Sequence, residues 1–281
     1  MKIKITADST CDLSPELVSK YDIEILPLYI IKDGAAYKDT KEITPQDIFD
    51  HVSKGGAITS TSAVNLDDYI GYFKPFSEEY DAVIHLDISA DFSSCYQNAC
   101  IAAKEYDNVY VVDTRNLSTG SGLLVLEAAE LAERGESAEN IVSALNDLTS
   151  KVEASFVIDK LDYLRKGGRC SALAALGANL LSLRPCIEVK EGKMGVGKKY
   201  RGVFEKCIMQ YVKERLEGRT DINTKRIFIT HPPFEYPGLV DKVRQEIGKY
   251  VKFDEILETF AGCTVSSHCG PSTLGILFIR K

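Results

Sequence analysis

Short β-branched runs alternate with amphipathic stretches through the first half of the chain. Residues 2–7, Lys-Ile-Lys-Ile-Thr-Ala, alternate polar and apolar side chains, the period of a strand with one buried face. The run ends in Asp8-Ser9-Thr10, after which Ser14-Pro15-Glu16 opens a helix with Ser at the N-cap and Pro in the first turn. Residues 23–31 predict a second strand leading into an Asp33-Gly34 turn, and Thr44-Pro45-Gln46-Asp47 opens another helix in the same style. Residues 66–80 carry a further helical pattern. Residues 82–88 and 108–112 are again strand-like, and each precedes a hydroxyl- or Gly-rich loop and then a helical stretch, the second at 123–134. This alternation predicts parallel strands with helices on their faces.

After a polar helix predicted at 138–151 the pattern changes, which places a domain boundary near residue 155. Beyond it the chain predicts a strand at 154–158, a short helix at 160–166 ended by Gly167-Gly168, and an apolar helix at 171–183 stopped at Pro185. Residues 186–190 and 194–198 form a hairpin candidate joined through Glu191-Gly192-Lys193. A helix at 204–216, a strand at 226–230, a helix at 237–250 and strands at 254–258 and 274–279 follow. The short hairpin turn and the less regular alternation favour antiparallel pairing here.

Composition narrows the class. A chain of 281 residues is long for one core, which suggests two domains with a cleft between them. With 44% hydrophobic and 27% charged residues it buries a sizeable core, and disorder is excluded. A net charge of −7 argues against a nucleic-acid partner, whose phosphates require clustered Lys and Arg. No apolar leader follows Met1-Lys2 and no stretch reaches the length of a membrane span, so a soluble, cytoplasmic protein without membrane insertion is expected. The eight cysteines are scattered without a Cys-x-x-Cys pair, which fits reduced thiols. Cys263 and Cys269 flank His268 at a spacing that matches no zinc pattern, and neither a metal nor another cofactor is expected.

Candidate chemistry gathers where strands end. Open α/β sheets bind ligands beyond the carboxyl ends of their strands, so Asp8-Ser9-Thr10, residues 89–93 and residues 113–122 should converge on one crevice, with Thr59-Ser60-Thr61-Ser62 as a fourth hydroxyl cluster. Ser93 leads the candidates, because it stands where a strand hands over to a helix whose first N–H groups attract an anion. The plainer alternative is that these Ser, Thr and Asp residues only cap helices and make turns. The Gly-rich turn at 113–122 lacks both dinucleotide spacing and a P-loop lysine, which weakens a nucleotide or phosphometabolite reading. Arg165, Lys166 and Arg169 surround a Gly pair, and Arg169 lies past the point where a helix dipole would explain it. Lys198-Lys-Tyr-Arg201 is a second basic spot. His268 sits in Ser266-Ser-His-Cys-Gly270-Pro among small residues that let backbone approach a ligand, although a structural histidine is equally compatible.

Taken together, Asp8-Ser-Thr-Cys-Asp-Leu13, Thr61-Ser62, residues 88–99, residues 113–122, Lys166-Gly-Gly-Arg169-Cys-Ser171, Lys199-Tyr-Arg-Gly202 and His268-Cys-Gly-Pro271 resemble the DegV family over essentially the whole chain. The resemblance implies an α/β, two-domain fold. Its N-terminal domain, 1–155, would hold a mainly parallel sheet flanked by helices and the head-group-binding loops. Its C-terminal domain, 156–281, would hold a mixed or antiparallel sheet with helices and form an acyl-chain tunnel. It further implies a non-enzymatic bacterial protein that binds a long-chain fatty acid and serves as the acyl-carrying subunit of a fatty acid kinase, with the ATP-binding subunit as partner. Thr61, Ser62, Ser93, His268 and Gly270 then match positions around the carboxylate, while Arg169 and Arg201 match positions associated with the partner and the acyl-phosphate product, Arg169 also bordering the ligand. Two departures stand out: Ala63-Val64-Asn65 where relatives usually carry Gln-Pro-Ser, and Ser94 where they carry Gly, which narrows the head-group pocket. Residues 172–183 and 123–131 are expected tunnel walls. The rival reading is a hydrolase or transferase with Ser93 as nucleophile and His268 as base, although no Gly-x-Ser-x-Gly elbow is present.

Overall fold

A computed structural model describes residues 1–171, 183–234 and 236–281. The apolar helix expected at 171–183 falls, apart from its end residues, outside the described residues. The elements in chain order are β1 (Ile3–Asp8), α1 (Pro15–Lys20), β2 (Glu24–Leu26), β3 (Tyr29–Lys32), β4 (Ala35–Lys38), α2 (Pro45–Ser53), β5 (Ser60–Ser62), α3 (Leu66–Glu79), β6 (Ala82–Asp87), α4 (Cys95–Ala102), β7 (Val109–Asp113), α5 (Thr119–Glu133), α6 (Ala138–Thr149), β8 (Val152–Ile158), α7 (Asp162–Gly167), β9 (Leu183–Lys190), β10 (Lys193–Arg201), α8 (Phe204–Leu216), β11 (Ile222–His231), α9 (Leu239–Tyr250), β12 (Glu255–Phe260), α10 (Cys263–Cys269) and β13 (Thr273–Arg280).

The alternating first half forms a parallel sheet in the order β2-β1-β6-β7. The second half forms a mixed sheet, β10-β9-β8-β13-β11-β12, in which every described pairing is antiparallel except β11 with β12. The β9–β10 hairpin turns where Glu191-Gly192 was expected to turn it. Residue 155 lies inside β8, so the strands change sheets at Val152. One expected strand divides in two: Pro27 interrupts residues 23–31, sending β2 into the parallel sheet and β3 into a small antiparallel sheet, β4-β3-β5. Pro lacks the N–H that a continuous ladder needs.

Helix α5 joins the two large sheets. It packs on β1 and β6 of the first and on β8 and β13 of the second, and its buried residues run from Thr119 to Ala129 on almost every side. A helix apolar all round belongs inside a core, and one continuous core carries Ile5, Leu86, Leu124, Phe156 and Leu277. The opposite face of the mixed sheet buries a second core under α8 and α9, with Val157 and Ile276 alternating against their neighbours Phe156 and Leu277.

Gly122 shows how tightly α5 is seated. A Cβ there would come within 2.6 Å of the Cys11 carbonyl oxygen. Helix propensity alone favours Gly122→Ala by up to about 1 kcal/mol. The clash with backbone reverses that sign, and we expect the variant to lose about 1–3 kcal/mol in urea unfolding, as overpacked cores do.

Candidate ligand-binding site

Between β1 and β6 the chain direction across the parallel sheet reverses, since β1 leads to β2 on one side and β6 to β7 on the other. This is where open α/β sheets place ligands. The loop after β6 carries Ser89 to Ser94 here and runs into α4.

A cavity of about 120 Å³ lies at this point, walled by Leu28, Ile88, Phe92 and Leu117 from the first half of the chain and by Met194 and Val265 from the second. Thr61, Ser93, Ser94, Arg169 and His268 add polar atoms to its lining. A smaller cavity of about 30 Å³ adjoins it, sharing Leu117, Val265 and Cys269 and continuing toward Phe156, Thr230 and His231. Leu117 is held in place by its neighbour. Ser118 adopts φ 53° and ψ −147°, a strained conformation for a residue with a side chain, and its hydroxyl donates to buried Asp12 at 2.5 Å.

His268 comes from α10, a helix that the residue pattern did not predict. That helix has no side-chain cap of its own. Instead Asp39 accepts from the N–H groups of Cys263 and Thr264 at 2.8 and 3.1 Å, and Asp12 accepts from that of Gly262 at 2.8 Å. Near the other end of α10, His268 Nε2 lies 2.8 Å from Thr61 Oγ1, and Nδ1 is buried without a partner. Gly167 at the end of α7 permits this packing, since a Cβ there would approach Nδ1 to 2.1 Å. Burial, and secondarily the Arg169 guanidinium, holds the imidazole pKa down to about 4. His268 is therefore neutral at physiological pH.

Ser93 Oγ donates to Cys95 Sγ at 3.1 Å and accepts from the Cys95 N–H at 3.2 Å. Neither Ser93 nor His268 is hydrogen-bonded to the other, so the base and nucleophile of the hydrolytic rival are not paired. Arg169 is exposed at the mouth, with Nε on the Phe92 carbonyl and Nη1 on the Gly167 carbonyl. Ser62 is exposed, directed to the Ala63 carbonyl, and lies outside the cavity lining. Gly270 also lies outside that lining and terminates α10 at φ 72°, where a Cβ would strike the Tyr163 ring at 2.6 Å. Arg201 is exposed at the end of β10, away from the lining.

The expectation that four hydroxyl clusters converge is corrected in part. Residues 59–62 and 89–94 reach the cavity through Thr61, Ser93 and Ser94. Asp8, Ser9 and Thr10 turn inward: Asp8 accepts from the Thr10 N–H and hydroxyl, and Ser9 donates to Asp39. Thr114 bonds the Asp87 carbonyl and Ser121, and Thr119 pairs with Thr230. Of the loop at 113–122, Leu117 reaches the cavity.

Fold and site thus define an α/β protein of two large sheets and one small one, with an apolar cavity at a topological switch point whose lining also carries hydroxyls, a neutral imidazole and a guanidinium. The family model described as "Uncharacterised protein, DegV family" matches residues 2–281, and the chain belongs to the DegV family. A protein of Thermotoga maritima named fatty acid-binding protein is 33% identical over 98% of this chain and 96% of its own. Among solved structures, a fatty-acid-binding DegV family protein from Thermus thermophilus superposes with a TM-score of 0.90 at 33% identity, covering 100% of both chains. A stearic acid-binding protein from Eubacterium ventriosum matches with a TM-score of 0.83 at 26% identity over 99% of this chain and 98% of that one. No described helix is long and apolar enough to cross a membrane.

The depressed His268 pKa gives stability a defined pH dependence. The unfolded imidazole gains a proton near pH 6.5 and the folded one near 4, so its contribution is complete above 6.5 and is lost as pH falls through 4. We expect wild type to lose about 3 kcal/mol more than His268→Gln over that interval, measured by urea unfolding at each pH. An imidazole carbon shift that titrates near 6.5 in the folded protein would refute the burial argument.

Proposed function

We propose that this protein binds a long-chain fatty acid, with its carboxylate at Thr61, Ser93 and His268 and its tail along the apolar cavity, and presents it to a fatty acid kinase. The observation that carries this reading is an apolar cavity whose lining includes the hydrogen-bonded Thr61–His268 pair and Ser93. The names of the relatives support the ligand class. Placing the imidazole proton on Nε2 makes His268 a donor to Thr61, which frees the Thr61 hydroxyl to donate to a carboxylate oxygen. The Ser93 hydroxyl turns from Cys95 to the second oxygen. Arg169 at the mouth attracts the anion without burying an ion pair, and with exposed Arg201 it offers a basic docking face for the ATP-binding subunit.

Each buried methylene contributes about 0.8 kcal/mol, so a tail of roughly sixteen carbons outweighs several hydrogen bonds worth about 1 kcal/mol each. The tail sets affinity and the cluster sets orientation.

Denaturing extraction of the purified protein followed by lipid mass spectrometry should recover close to one fatty acid per chain. A protein that arrives empty and also fails to bind added fatty acids sinks the proposal. Ser93→Ala and Thr61→Val should each weaken binding about fivefold, since each removes one hydrogen bond of about 1 kcal/mol. Loss of a measurable hydrolytic turnover in Ser93→Ala would instead favour the enzyme.

A further inference from the structure

Beneath Ser93, one layer deeper than the cavity, two carboxylates face a thiol. Asp8 ends β1, Asp87 ends the neighbouring β6, and Cys95 opens α4. All three are buried, and one potential ligand atom from each lies within 4.8 Å of the other two. Ions bound by oxygen and sulfur at about 2.0–2.3 Å hold their donors within that mutual spacing. The cluster also sits at the topological switch point, where the carboxyl ends of β1 and β6 diverge.

The hydrogen bonds around these carboxylates make both of them acceptors. Asp8 Oδ1 accepts from the Thr10 N–H at 2.8 Å and its hydroxyl at 2.5 Å, and Oδ2 accepts from the Ile88 N–H at 2.7 Å. Asp87 Oδ1 accepts from the Tyr69 hydroxyl at 2.6 Å. It also lies 3.2 Å from His85 Nε2, whose other ring nitrogen is 2.8 Å from Thr6 Oγ1. Among the described residues no Lys or Arg pairs with either acid, and the basic side chain against Asp87 is His85. Asp87 Oδ2 is left buried and unpartnered in a residue that is 0% exposed.

We propose that Asp8, Asp87 and Cys95 bind a divalent cation of the zinc class. A mixed set of carboxylate oxygens and thiolate sulfur suits a borderline-soft ion better than magnesium or calcium, and three protein donors leave a fourth tetrahedral position for water. Binding releases the Cys95 thiol proton to solvent as the metal–sulfur bond forms. Tyr69 and His85 on Asp87, and Thr10 and Ile88 on Asp8, form the outer shell that orients the ligands. The ion braces the start of α4 and so fixes Ser93, which is hydrogen-bonded to Cys95. Positions 8, 87 and 95 have no motif spacing, which is why the sequence alone gave no sign of the site.

The test uses cobalt as a spectroscopic probe and zinc as the test ion, supplied in the growth medium so that loading accompanies folding. Wild type should carry one ion per chain, show the near-ultraviolet thiolate-to-cobalt absorption, and give an anomalous-difference peak between Asp8, Asp87 and Cys95 in zinc-grown crystals. Cys95→Ser should lose that absorption, and Asp87→Asn should retain less than a tenth of the ion. The crystal map decides the matter without either variant if they fold poorly. Wild type without a bound ion overturns the proposal and leaves the two acids sharing a proton. A thiolate band that survives Cys95→Ser, or a peak elsewhere, overturns it equally.

Discussion

The placement of α10 depends on two buried carboxylates supplied from the other half of the chain. Asp39 and Asp12 take the N–H groups of Gly262, Cys263 and Thr264, and Asp39 also takes the Thr264 and Ser9 hydroxyls. A seven-residue helix rich in Thr, Val and Ser does not persist by itself. Carboxyl oxygens at its N-terminal end satisfy donors that would otherwise be buried unpaired. Burial drives the Asp12 carboxyl well above the usual range, while Ser118 and Gly262 pull it back. These same bonds tie the chain after β1, the start of α5 and the start of α10 to one another, so the cavity wall and the imidazole are set by a single network.

Helix α5 extends that network into the core. Because it packs against both large sheets, the strands after Val152 cannot shift relative to β1 and β6 without opening one continuous apolar core. Glycines at 120 and 122 bring it close to Asn116 and Cys11, and the strained Ser118 turn projects Leu117 into the cavity. Strain of about 1–3 kcal/mol at one residue persists only where surrounding contacts over-determine it, and Asp12 supplies such a contact.

Legibility in the sequence follows how local each signal is. Ser14-Pro15 and Thr44-Pro45 predicted α1 and α2 correctly because caps and Pro act within one turn, and both side chains do cap. The parallel order emerged from alternation, and Ser93 from a strand-to-helix handover. Helix α10 was missed because its capping groups lie more than two hundred residues away in sequence, at Asp12 and Asp39; the only local hints were Gly262 and Gly270 at its ends. The α5 start was placed four residues late for a related reason, since Thr119-Gly-Ser-Gly122 reads as a loop until two sheets bury it. Hydroxyl clusters cannot announce which of their members turn inward: Ser9 and Thr10 bond buried aspartates while Thr61 reaches the cavity, and nothing within either short segment decides this.

The charges at the head of the cavity also bear on how a carrier could release what it holds. Breaking a fully buried ion pair costs about 3–5 kcal/mol, because one charge is left without compensation. Here the imidazole is neutral and the cation, Arg169, is exposed at the mouth, so on the proposed reading the carboxylate meets hydroxyls worth about 1 kcal/mol apiece. On the same reading, a partner would draw the head group toward Arg169 at small cost while the tail stays anchored by its buried methylenes. A buried cation at the head would tighten binding but oppose that transfer, and a charged His268 would do the same. On that proposed reading, the Gly167 contact and the low imidazole pKa keep the head-group end weak and leave retention to the apolar cavity.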